Sequence, residues 1–336
     1  MGLLCNLVPP SGIKVTNTAN LLVFSWDDKC LFTYHGDRVA ILWDVSQVAP
    51  AQMLELGPGT LIAATFTATP IKHLVLTYGL DHPTQQFRIV EGCAVAYSPQ
   101  DLLYPNATIV KSSPDGTMLA FTTTHTVEVR KTGSGRHIRT IDLLREAVSL
   151  DFSRDSRYLA MADTQGKLSI IELAGDEVLQ STLGIINDYT ASIRPCRFDT
   201  EPGWIPVDIV WHSEQFGIFV SSRKEFSPGE PSYRLVWWFP RSEKLNMPFT
   251  QDPSGPVARY ECARLAPNHT FFACTTPDHD LVLRDIYLRP GYSVGLKGRA
   301  TACSVSASSS RVAFSFPNGR LGVWHVGQPL FGCQGG

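Results

Sequence analysis

No stretch of this sequence approaches the roughly 20 consecutive apolar residues that a membrane-spanning helix requires, so no membrane span is expected. An excess of one charge is also missing. The 29 basic and 31 acidic residues give a formal net charge of -2, and without a net positive field nucleic acid is disfavoured as the main partner. The eight cysteines, at 5, 30, 93, 196, 262, 274, 303 and 333, form no CxxC pair and lack the density of a disulfide scaffold. They are expected to be mostly reduced and buried. The start, "MGLLCNLVPPSG", has no basic region followed by an apolar core and a small-residue cleavage site. The expected location is therefore cytoplasmic or nuclear, not secreted, and the Asn-x-Thr patterns at 106 and 268 read as turns. Other local signatures of catalysis are missing too: there is no GxxxxGKS/T, GxGxxG or HExxH.

What the chain does have is a repeat. Its 336 residues are 43% hydrophobic and 18% charged, enough to bury a sizeable core. The stretch "LFTYHGDRVAILWDV", from Leu31 to Val45, reads as strand, polar turn, strand. The same form returns in "MADTQGKLSIIEL" from 161, "CTTPDHDLVLRDI" from 274 and "AFSFPNGRLGVWHV" from 313, with looser copies from 76 and 120 and a stretched copy from 221. About seven copies spaced roughly 40 to 60 residues apart match the period of propeller blades or helical arrays. Alternation at period two, with many Val, Ile, Thr, Phe and Tyr residues, excludes helices.

An upstream strand precedes each copy across a tight turn, as in "TIVKSSPDGTMLAFTTT" and "SLDFSRDSRYLAMAD", and a fourth follows, as in "RHIRTIDL", "EVLQSTL" and "KLNMPF". Four antiparallel strands per unit is the composition of a propeller blade. The expected fold is an all-β, seven-bladed β-propeller of four-stranded antiparallel blades. It forms one domain over residues 1–336, with blades near 18–50, 51–91, 92–135, 136–176, 177–243, 244–289 and 290–333. Ring closure is expected through "GIKVTN", residues 12–17, pairing with the last blade, because closure removes exposed sheet edges.

Trp43-Asp44 at the end of a third strand, Ser113-Pro114-Asp115-Gly116 in a first-to-second-strand turn, and Trp324 in the last copy carry a resemblance to WD40-type β-propellers with degenerate repeats. The Trp position becomes Arg88, Glu172 or Arg284 in other copies, and His325 stands where the second Asp would be. The resemblance implies a partial version of the family's buried hydrogen-bond network. Trp43 is expected to pack between blades.

No catalytic, cofactor-binding or metal-binding residue is assigned. Asp81-His82 and Asp278-His279-Asp280 occupy equivalent turns, where Asp and His satisfy turn backbone, and a Ser221, His212, Asp208 set rests on spacing alone. A protein-binding patch is assigned instead to two irregular segments that the repeat does not require, 184–207 and 223–233. They carry Tyr189, Arg194, Arg197, Trp204, Arg223, Lys224, Phe226 and Tyr233. In a four-stranded antiparallel blade successive connections alternate between faces, which brings these two segments to one face, and their residue types are enriched at interface hot spots. The expected function is a non-catalytic interaction module, either an adaptor or the recognition end of a larger signalling assembly, with a protein partner and no cofactor. The alternative is a propeller hydrolase or lactonase with a central-channel site, which would need acidic or His residues converging there. The first strands read as poor in paired carboxylates, which favours the module.

Overall fold

A computed structural model of the chain describes residues 2–7, 19–90, 100–173, 205–246 and 262–326, apart from short segments within these spans. Among the described residues the protein is all-β, and no helix is long and apolar enough to cross a membrane. The chain opens with β1 (Gly2–Leu7). A first sheet follows in the order β2 (Leu21–Phe24), β3 (Cys30–Tyr34), β4 (Val39–Asp44), β5 (Ala49–Glu55). The second is β6 (Leu61–Phe66), β7 (His73–Tyr78), β8 (Thr84–Arg88), β9 (Gln100–Leu102), and the third β10 (Ile109–Ser112), β11 (Met118–Thr122), β12 (Thr126–Lys131), β13 (His137–Asp142). In the fourth, β14 (Ala147–Phe152), β15 (Tyr158–Asp163) and β16 (Leu168–Glu172) are described; the expected fourth strand at 177–183 lies outside the described residues. The fifth is β17 (Ile205–Trp211), β18 (Ile218–Ser227), β19 (Glu230–Phe239), β20 (Lys244–Asn246). The sixth is β21 (Cys262–Leu265), β22 (Phe271–Thr275), β23 (Asp280–Asp285), β24 (Pro290–Gly295).

The seventh sheet is completed from the other end of the chain. Its order is β25 (Ala302–Val305), β26 (Arg311–Ser315), β27 (Leu321–His325), then β1. The β1–β27 ladder runs antiparallel from Gly2 opposite His325 to Leu7 opposite Leu321. The strand that joins the last sheet is thus Gly2–Leu7, upstream of the expected 12–17, and residues 12–17 lie outside the described residues.

These sequences form buried sheets because both faces are covered. All five residues of β3 are buried, so its "CLFTY" packs in two directions at once. A strand with only one covered face would alternate with polar residues. Consecutive sheets accordingly share cores. Cys30, Phe32 and Leu42 pack with Phe66, Leu74 and Phe87 of the second sheet. Val75 packs with Val110 and Phe121 of the third, and Val127 and Val129 with Leu150 and Leu159 of the fourth. Tyr158 stacks on Trp211 of the fifth at a centroid distance of 6.0 Å. First strands also follow one another: β2 lies beside β6, β6 beside β10, β10 beside β14, β14 beside β17, β21 beside β25 and β25 beside β2.

The two tryptophans behave alike. Trp43 is fully buried among Leu7, Leu321 and Val323 of the seventh sheet, and Trp324 among Phe271, Ala273, Leu281 and Leu283 of the sixth. Each fills the gap behind its own sheet. The Trp43 indole N–H donates to Thr33 Oγ1 at 2.9 Å, and that hydroxyl lies 3.0 Å from His35 Nε2. Asp44 Oδ1 accepts the N–H groups of Ser46 and Gln47 at 2.9 and 3.1 Å. Cys30 departs from the expectation of reduced cysteines, since it is disulfide-bonded, whereas Cys303 is a buried thiol.

A five-residue turn recurs between first and second strands. Ser25, Ser113, Ser153 and Ser306 each accept through Oγ the N–H five residues on, at 2.9 to 3.0 Å, from Cys30, Met118, Tyr158 and Arg311. In the first three the serine also donates to a carboxylate two residues on, Asp27, Asp115 or Asp155. The next residue has positive φ in all four: Asp28 (58°), Gly116 (73°), Ser156 (57°) and Ser309 (61°). Gly and Asp tolerate that left-handed geometry best, and the serine and carboxylate bonds to the neighbouring backbone hold the turn in it.

Two stability outcomes follow from this packing. Trp43→Ala is expected to lower stability by about 3 to 5 kcal/mol, as for other large core truncations. Gly322 lies directly under the Trp324 ring, where an added Cβ would overlap ring atoms. Gly322→Ala is therefore expected to cost about 1 to 3 kcal/mol by displacing the indole. Denaturant midpoints with unchanged slopes check both, and the Gly322 result should be accompanied by altered Trp fluorescence.

Candidate functional site

The side chains that stay partly accessible on successive first strands divide into two arcs. From β25 round to β6 they are Ala302, Ser304, Leu21, Val23, Ala63 and Ala64. From β10 to β21 they include Ile109, Val148 and Val210 but also one charged residue from each of four consecutive sheets: Lys111 on β10, Asp151 on β14, Asp208 on β17 and Arg264 on β21.

Local strand geometry aims these groups. The pairing of β14 with β15 skips a residue between Ala147 and Ser149, and that of β17 with β18 skips one between Pro206 and Asp208. A bulge bends its strand and re-aims the side chain beyond it. Ser149 and Asp208 are the residues beyond, and Ser149 Oγ donates to Asp208 Oδ1 at 3.2 Å while accepting the Ile209 N–H at 3.1 Å. Two residues further along β14, Asp151 Oδ2 accepts the Trp211 N–H at 2.7 Å. Alternate amides of β17 are thereby capped by alternate side chains of β14. Asp208 Oδ2 lies 3.9 Å from Arg264 Nε, with the two side chains 21% and 44% exposed. At that length and exposure the ion pair contributes under about 1 kcal/mol.

Asp151 keeps a little accessible surface but is densely surrounded by protein. Burial pushes its carboxyl up from 3.8 to about 6, the Asp208 charge adds to the rise, and Lys111 with the Trp211 and Phe152 N–H groups offsets part of it. A carboxyl titrating there can hold or release a proton near neutrality, as acid–base groups in enzymes do. Here each carboxylate also accepts a hydrogen bond from a neighbouring sheet, Asp151 from the Trp211 N–H and Asp208 from the Ser149 hydroxyl. Among the described residues no group of three His, Cys, Asp or Glu could hold a metal ion.

Of the residues assigned from sequence to a binding patch, Tyr189, Arg194, Arg197 and Trp204 lie outside the described residues. Arg223, Lys224, Phe226 and Tyr233 do not sit on an irregular loop. They lie on β18 and β19, whose ladder continues through Arg223 opposite Tyr233 and Lys224 opposite Ser232 to Ser227 opposite Glu230, with Phe226 at a bulge. The correction has a simple cause: the strands run on to Ser227 opposite Glu230, and the Pro and Glu residues in "KEFSPGEPSY" mask their alternation. Asp208 and Ser221 stand opposite each other in the β17–β18 ladder, while His212, Asp81, His82, Asp278 and His279 lie outside the described residues and Asp280 begins β23.

Sequence reasoning missed the Asp151–Asp208 pairing because the two are carried by different repeats, and each first strand shows a single carboxylate. Aligning "SLDF" with "VDIV" as neighbouring first strands is the signal that could have found it. A scan of protein-family models finds no match to the chain, and a search of curated proteins finds none either.

Because the folded pKa of Asp151 lies above its unfolded value, folding favours the protonated form. The associated stability is fully present below about pH 4 and is lost as pH rises through about 6. Asp151→Asn keeps an acceptor for Trp211 without the charge. It is expected to stabilise the protein by about 2 to 3 kcal/mol at pH 8, with the difference closing toward pH 4. Urea unfolding of both proteins across that range checks the sign.

Proposed function

We propose that the chain is a closed seven-bladed β-propeller of the WD-repeat kind, acting as a non-catalytic protein-interaction module, either an adaptor or the recognition end of a larger signalling assembly. Three features support the propeller: seven antiparallel sheets among the described residues, first strands that neighbour one another in sequence order, and an N-terminal strand that completes the last sheet. The Trp43–Thr33–His35 bonding, together with Asp44 in its turn, supports the WD-repeat kinship.

The observation that carries the interaction reading is the β18–β19 hairpin. Among the described residues, β17 pairs with β18 as far as Arg223, and β20 pairs with Trp237 to Phe239 of β19. Among the described residues, Lys224–Ser227 and Glu230–Ser232 pair with each other as a two-stranded arm. A two-stranded ribbon is marginal by itself in water, which supports a role for the arm in binding. The arm's Lys224 and Phe226, with Arg223 and Tyr233 at its base and Tyr189, Arg194, Arg197 and Trp204, supply residue types that anchor protein interfaces. The proposed compartment is cytoplasm or nucleus; the Cys30 disulfide argues against it, since such bonds persist mainly in oxidising compartments.

A second reading, a hydrolase with its site among the first strands, is favoured by the raised Asp151 beside Asp208. The engagement of both carboxylates in sheet-to-sheet hydrogen bonds weighs against it.

Affinity capture with the intact chain and with a version lacking residues 223–233 separates these readings. A specific protein partner is expected with the first and not the second, at nearly equal melting temperatures. Trp204→Ala is expected to weaken binding of that partner at least about thirtyfold, the loss of one hot-spot anchor of about 2 kcal/mol. Equal capture by both versions would refute the arm as the binding element.

A further inference from the structure

The recurrent serine turn is the same in the first, third, fourth and seventh sheets except for one exchange. Two residues after the turn serine stand Asp27, Asp115 and Asp155, but Ser308 in the seventh sheet. Junctions between sheets are built from this position and the next. Between the third and fourth sheets the Asp115 N–H donates to Ser156 Oγ at 3.3 Å. Between the seventh and first, the Ser308 N–H donates to the Asp28 carboxylate at 3.3 and 3.4 Å, and the Ser308 hydroxyl donates to the same group. The Arg311 guanidinium adds a bond to the Asp28 backbone carbonyl at 2.7 Å. Each junction therefore holds one carboxylate, at the earlier position in one and the later position in the other. Two would face each other and repel.

Asp28 is only 8% exposed, so a second negative charge beside it would be poorly screened. Among the serines of this turn Ser306 and Ser309 are buried and Ser310 is partly covered, while Ser308 is exposed. Its hydroxyl is the accessible nucleophile at the junction.

We propose that Ser308 is a phosphorylation site whose modification unlocks the junction between the first and seventh sheets. A serine/threonine kinase using a nucleoside triphosphate forms the Oγ–P bond, breaks the bond from the γ-phosphorus to the bridging oxygen, and releases the diphosphate and the hydroxyl proton. The turn itself accepts negative charge at this position. Asp27, Asp115 and Asp155 hold it against the N–H two residues on, and the Ser310 N–H already donates to Ser308 Oγ at 3.2 Å. What rejects the charge is Asp28. A phosphate of roughly two negative charges replaces a donor to that carboxylate with acceptors, and it draws the Arg311 guanidinium away from the Asp28 carbonyl. The β1–β27 ladder and the Trp43 cluster stay in place, so the opening is confined to the two turns.

The test is hydrogen exchange on the full chain carrying phosphoserine installed at 308, compared with the unmodified chain. Amides of Asp28, Ser308 and Ser309 are expected to exchange at least about tenfold faster, with β14 to β16 unchanged. In an Asp28→Asn background, which keeps the acceptor, suits positive φ and removes the charge repulsion, phosphoserine should accelerate exchange at least about threefold less. No acceleration in the wild-type background, or equal acceleration in the wild-type and Asp28→Asn backgrounds, overturns the unlocking. Phosphopeptide mapping of the chain expressed in cells with active serine/threonine kinases, under phosphatase inhibition, should find phosphate on Ser308 that is lost in Ser308→Ala. Complete coverage of the turn with no phosphate at Ser308 overturns the site.

Discussion

The structure depends on its two ends meeting. Without Gly2–Leu7 the buried strand Leu321–His325 would itself be the edge of the seventh sheet and leave a row of N–H and C=O groups unpaired. The same meeting buries Trp43, whose ring lies among Leu7, Leu321 and Val323. Since Trp43 in turn positions Thr33 and His35, the interior of the first sheet is organised by contacts made with the last. Without that contact, both faces of β3 could not be covered, and a largely apolar strand would face water.

Between neighbouring sheets the packing is apolar, but the turns and first strands are also joined by polar contacts, several of one kind. A side chain on one sheet accepts a backbone N–H from a neighbouring sheet: Ser149 and Asp151 for Ile209 and Trp211, Ser156 for Asp115, Asp28 for Ser308. First strands have a free edge by construction, and buried amides without partners are costly. Side chains at alternate positions serve where a ladder cannot form. The raised pKa of Asp151 is a consequence of this duty, because capping Trp211 holds the carboxyl in a crowded place beside Asp208.

Local pattern makes much of this legible. Leu31 to Val45 reads as a hairpin in the sequence and is β3 and β4, turning through Gly36 and Arg38 with positive φ. Ser113-Pro114-Asp115-Gly116 reads as a turn and is one. The strand completing the last sheet is not legible in the same way, because "GIKVTN" shows the period-two alternation of a strand and the more apolar "GLLCNL" does not, while the choice is made by pairing with β27, far along the chain. The arm at 223–233 reads as irregular because proline and charge obscure its alternation, although its backbone bonds continue. The charged arc is invisible for a different reason: its members never share a repeat, so only the arrangement of whole sheets brings them together.

Gly322 and Trp324 sit on one face of β27, with the indole laid over the glycine and Phe314 meeting the ring edge-on at a centroid distance of 5.6 Å. The two positions are consequently not free to drift independently over evolutionary time. Shrinking the aromatic ring first opens room in which a side chain at 322 can later settle, whereas enlarging position 322 first meets an occupied space. Paths through sequence space at this strand thus have a direction, and homologues that lack the tryptophan are where a larger residue at 322 belongs.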